Sequence, residues 1–132
     1  MWNVSTQSFG FVLTFAGSPT AIELEEWIEE SKNRLAGPLP AGWGLVVDMR
    51  DLKPLAADAQ AVMAKGQLEY KSKGMTRVAV VMTDAIAIMQ FRRLGRGTGV
   101  DKVERFVNSQ TTPNWQSVAK AWVVSGTEPP AA

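Results

Sequence analysis

The stretch from Leu45 to Met63 constrains this chain more than any other. Leu45, Val46 and Val47 run without interruption into Asp48, which suits a strand covered on both faces. A short acidic loop containing Pro54 follows. Ala59, Val62, Met63, Gly66 and Tyr70 then fall at helical spacing, and the run ends at Gly74. A buried strand that feeds a helix through a short loop is half of a βαβ unit, so a largely parallel sheet is expected.

The rest of the chain repeats that logic. Trp2 to Thr6 alternates weakly and reads as an edge strand. Phe9 to Phe15 is rich in aromatic and β-branched residues and reads as a firmer strand. Thr20 and Glu23 have capping-box spacing, and the helix they open carries Leu24, Trp27, Ile28, Ser31 and Leu35 on one face. Thr76 to Met82 is another buried strand. A helix capped by Thr83 or Asp84 runs to about Leu94, where Gly95 ends it. Val103 to Val107 is the last strand, and Thr112 and Pro113 are read as cap and first turn of a final helix. The order ββαβαβαβα predicts an α/β fold: one domain over residues 1–124, a mostly parallel mixed sheet flanked by helices, and a disordered tail over 125–132. Of the five Trp, Trp43, between two glycines, is the one expected to be partly exposed.

Composition removes whole classes of chemistry. The chain has no Cys and no His, which excludes thiol nucleophiles, disulfides, Cys/His zinc sites and any imidazole base. A formal net charge of +1 argues against a general nucleic-acid binder. No apolar run approaches the roughly 20 residues needed to span a bilayer, and the N-terminus does not read as a signal peptide. A cytoplasmic protein without integral membrane association is expected.

The strand from Leu45, its spacer to Leu52, and Ala56, Ala57, Asp58 and Ala59 at the helix start resemble the signature of STAS domains, the sulfate transporter and anti-sigma-factor antagonist (SpoIIAA-like) family. The element order resembles that fold over residues 9 to 124. The resemblance implies a non-enzymatic regulatory module that docks another protein, kinase-like or sigma-factor-regulator-like, through this loop. In the family the loop carries a phosphorylated hydroxyl. Here no Ser or Thr occupies the motif, and Asp58 falls at that place. Its carboxylate either imitates a permanently phosphorylated loop or simply caps the helix.

Two surfaces follow from these residues. The first is a protein-binding surface of Leu52, Lys53, Leu55 and Asp58, extended by Ile86 and Met89, which project away from the sheet toward Arg93. Met and Arg are enriched in interfaces, so a protein partner or a second copy of the chain suits it. The second is the basic, glycine-rich segment Arg92, Arg93, Arg96, Gly97 and Gly99, where guanidinium and backbone N–H groups could hold a phosphate, a nucleotide or a lipid headgroup. The same residues also read as a helix end whose cations complement the dipole. Asp48, Asp51 and Asp84 lie near strand ends and could hold Mg²⁺ as the centre of a hydrolase, but Asp is equally favoured in turns and no catalytic partner accompanies them. No metal site and no cofactor is therefore expected.

Overall fold

The computed structural model describes residues 1–130. Strands β1 (Trp2–Gln7) and β2 (Gly10–Gly17) form an opening hairpin. Then helix α1 (Ala21–Leu35), β3 (Gly44–Leu52), α2 (Ala57–Ser72), β4 (Val78–Met82), α3 (Ala85–Thr98), β5 (Glu104–Asn108) and α4 (Trp115–Ser125) alternate, with a short 3-10 turn, Val100–Lys102, before β5. The sheet order is β1-β2-β3-β4-β5. Only the β1–β2 pair is antiparallel. This is the mostly parallel mixed sheet of a single α/β domain that the strand and helix patterns predict.

Chain order equals strand order from β2 to β5, and such crossovers are right-handed. All three crossover helices therefore fall on one face, where α1 packs on α2 and α2 on α3. The chain after β5 returns over the other face, and α4 covers β3, β4 and β5. Strand alternation sorts the core between the two layers. Phe11, Leu13, Phe15, Leu45, Val47 and Met49 point under α1–α3, while Val46, Ala79, Val81 and Val107 meet Ala119, Trp122 and Val123 of α4.

Helix α1 starts at the capping box: the Glu23 N–H donates to Thr20 Oγ1 at 3.2 Å and the Thr20 N–H to Glu23 Oε1 at 3.1 Å. Trp27 stacks on Tyr70 of α2 at 5.8 Å and meets Phe15 edge-on at 5.0 Å. The ring lies directly over Gly66, where any Cβ would overlap it. Ser31 and Tyr70 share a buried hydrogen bond of 2.7 Å. Burial pushes the Tyr70 hydroxyl up to about 12, against the opposing effect of the Ser31 bond, so it does not act as a base near neutral pH.

Several boundaries differ from the expectation. Trp43 is buried, not exposed: its ring meets Phe11 edge-on at 5.8 Å and its Nε1 donates to the Lys73 carbonyl at 3.2 Å. Helix α3 does not end at Gly95, whose backbone is ordinary helix, but runs to Thr98, where Gly99 is the left-handed cap. Helix α4 starts at Trp115 behind Asn114 and has no side-chain cap. Thr112 instead supplies its carbonyl to the Trp115 N–H at 3.1 Å, closing a turn. Strand β5 begins one residue later than Val103. In the segment read as a tail, Ser125 closes α4 and Glu128 pairs with Arg105 at 2.8 Å, while residues 131 and 132 lie outside the described residues.

Candidate functional site

The carboxyl ends of the parallel strands carry the β3–α2 loop and the start of α3, as in other open α/β sheets. Two amide side chains fix the loop to the helices. Gln90 of α3 accepts from the Leu55 N–H at 2.8 Å and donates to the Leu55 carbonyl at 3.2 Å. Gln60 of α2 donates to the same carbonyl at 2.9 Å and accepts from Arg93. The Lys53 N–H donates to the Gly17 carbonyl at 2.8 Å, which ties the loop to the end of β2. Neither glutamine stands out in the sequence. No local spacing announces a bond between residues 35 apart.

The predicted protein-binding residues divide. Leu52 and Leu55 are 2 % and 4 % exposed and belong to the core, so they are not part of a docking surface. Their side chains anchor the loop from beneath. Lys53 and Asp58 are exposed beside it. Ile86 and Met89 are 61 % and 69 % exposed, one turn apart on α3, with exposed Arg93 a further turn along. Asp84 caps this helix by accepting from the Ala87 N–H at 2.9 Å.

Asp58 is not the helix cap. That position is Ala56, which has no side chain to offer, and Asp58 is the second helical residue, accepting from the adjacent Ala59 N–H at 2.8 Å. Its charge still lies in the first turn of α2, where the helix dipole favours an anion.

The segment from Arg92 to Gly99 is not a loop. Its glycines continue α3, and the Gly99 N–H is bonded to the Gly95 carbonyl at 2.9 Å, so the backbone offers no cradle of free N–H groups. A helix C-terminus carries partial negative charge and disfavours anions at its backbone. Gly97 and Gly99 therefore leave the anion site. Arg93 turns toward Gln60, while Arg92 and Arg96 face the open edge of β5. There Arg92 lies over the Phe106 ring, 4.7 Å from its centroid.

The three strand-end carboxylates do not converge. Asp48 is held by Arg50 at 2.9 Å through both oxygens, Asp84 caps α3, and no metal-sized group of three acidic residues forms among the described residues. Arg50 also lies 4.3 Å over Trp115, so this pair clamps α4 to the sheet.

No protein-family model matches the chain, and no curated protein matches it at a significant level. Among solved structures it is similar to an uncharacterised protein of the DUF3478 family from Shewanella loihica PV-4, described as having a SpoIIAA-like fold. The likeness has a TM-score of 0.59, covers 87 % of this chain and 91 % of that one, and comes with 18 % sequence identity. The fold is thus SpoIIAA-like, in agreement with the resemblance read from the β3–α2 region and the element order. No helix among the described residues is long and apolar enough to cross a membrane.

Proposed function

We propose that this chain is a non-enzymatic regulatory module of the cytoplasm that binds another protein through the carboxyl-end surface of its sheet. One observation carries the reading. Ile86 and Met89 are two large apolar side chains left in water on a single helical turn, beside a loop held rigid by Gln60 and Gln90. A preorganised apolar pair flanked by Arg93, Lys53 and Asp58 suits a docking patch with a polar rim. No Ser or Thr lies between Leu52 and Asp58, so docking here is constitutive or governed by partner abundance rather than by phosphorylation of the loop. A kinase-like or sigma-factor-regulator-like protein is the expected partner, and a second copy of the chain is the alternative.

The test is capture from native lysate with the wild type and an Ile86→Lys/Met89→Lys double variant, each also weighed by native mass spectrometry. The wild type should retain a stoichiometric protein, or a second copy, that the variant loses. Equal retention by both proteins, or none by either, would sink the reading.

A second reading, small-ligand binding, has its own observation. Among the described residues, Trp27 Nε1 and Glu104 Oε1 are buried without hydrogen-bond partners, and both residues line one cavity of about 40 Å³. A water needs roughly 10–15 Å³, so this mostly apolar cavity has room for a few small molecules at most and is too small for an acyl chain. An acyl chain therefore has no room inside the fold, and a small ligand of this chain would sit at the surface, at the β5 edge.

A further inference from the structure

Strand β5 borders a surface cleft of about 190 Å³ lined by Arg92, Arg96, Asp101, Glu104 and Phe106. Two are cations and two are acids, and among the described residues none of the four forms an ion pair. The neighbouring charges are already engaged: Arg105 is paired with Glu128 at 2.8 Å, and Lys71 donates to the Thr98 carbonyl at 3.0 Å. Arg92 is steadied by the Phe106 ring.

Glu104 sets this cleft apart from an ordinary charged surface. It is only 7 % exposed, and its Oε1, buried against Gly95, has no hydrogen-bond partner among the described residues. An uncompensated buried carboxyl is costly, and an apolar residue would fill the same space without penalty. The fold even makes room for it. A Cβ on Gly95 would come within 2.5 Å of Glu104 Oε1, so α3 carries a glycine there although its backbone does not demand one. Glycine inside a helix is itself unfavourable. Two adverse choices that serve one unpaired carboxyl mark a site kept for something other than stability.

We propose that this cleft binds a small zwitterion of the amino-acid type, its ammonium group held by Glu104 and Asp101 and its carboxylate by Arg92 and Arg96. A simple anion would meet two carboxylates and a simple cation two guanidiniums, whereas a molecule bearing both charges complements all four groups. Burial, reinforced by Asp101 and opposed by Arg92, pushes the free Glu104 carboxyl up to about 7. An ammonium partner favours its ionised form, so affinity should rise with pH through that value. The site is independent of the docking patch at the start of α3.

The experiment is an NMR titration of the full-length, isotopically labelled protein with glycine and with γ-aminobutyrate, using acetate and methylammonium at equal ionic strength as single-charge controls. At least one zwitterion should shift the Glu104 carboxyl carbon and the Arg92 Nε resonance saturably, binding more tightly at pH 8 than at pH 6. Glu104→Gln and Arg92→Gln should each weaken it by about tenfold or more. Neither zwitterion shifting Glu104, or acetate alone acting as strongly, would overturn the proposal on the wild type, whatever the variants do.

Discussion

Glu104 shows what a single unpaired carboxyl does to stability. In the unfolded chain it loses its proton near 4.5, while in the folded protein burial holds the proton until about 7. Between those values the folded state binds a proton that the unfolded state does not, so stability falls as pH rises. The favourable contribution is complete below about pH 4.5 and gone above about pH 7, and it amounts to about 3 kcal/mol. Urea unfolding at pH 5 and pH 8, without added ligand, should show that loss in the wild type, over and above other titrations. Glu104→Gln, which is neutral at both values, should abolish this part of the difference. Equal pH dependence in the two proteins would mean that the carboxyl finds a partner in solution. No sequence pattern marks this residue. Glu104 falls in a run read as strand, and only the pairing of β4 with β5 places it beneath Gly95.

At the scale of the element, α3 contains two glycines with opposite meanings. Gly97 is exposed, has open space around the position of a Cβ, and needs no unusual backbone. Gly97→Ala should therefore stabilise the protein by about 1 kcal/mol, the ordinary difference in helix propensity. Gly95→Ala gains the same propensity but drives a methyl group against Glu104, so it should come out destabilising. Thermal melts of both variants check the pair, and two stabilising substitutions would refute the close approach. Helix α2 offers a similar case. Its cap is Ala56, so Ala56→Ser should add about 1 kcal/mol in the same assay. These details explain where the sequence was legible. The strands at Val46 and Val80 and the box at Thr20 were readable because periodicity and capping are local. The end of α3 was not, because Gly95 looks like a stop signal but continues the helix, packed against Glu104. The helix start at Asp58 misled for a related reason. Asp is a common cap, and nothing nearby reveals that the loop, clamped by Gln60 and Gln90, enters the helix two residues earlier.

The whole molecule is a sheet with unequal covers, and this decides which parts it can lose. Three helices bury one face, while the other depends on α4 alone for Val46, Ala79, Val81 and Val107. Trp122 fastens that helix twice over. Its Nε1 donates to the carbonyls of Val78 and Val103 at 3.1 and 3.2 Å, and Arg105 lies 4.2 Å over its ring. Ending the chain after residue 112 would leave this apolar row in water beside an open strand edge, an arrangement prone to association. That truncation should give protein that aggregates or binds hydrophobic dyes. Ending it after Thr127 removes the exposed Glu128 partner of Arg105 but leaves α4 whole. Exposed ion pairs contribute little, so the unfolding midpoint should move by no more than about 2 °C. Size-exclusion chromatography and a melt of the two truncations separate these expectations. If the longer form were as unstable as the shorter, the residues after α4 would be part of the cover rather than an extension from it.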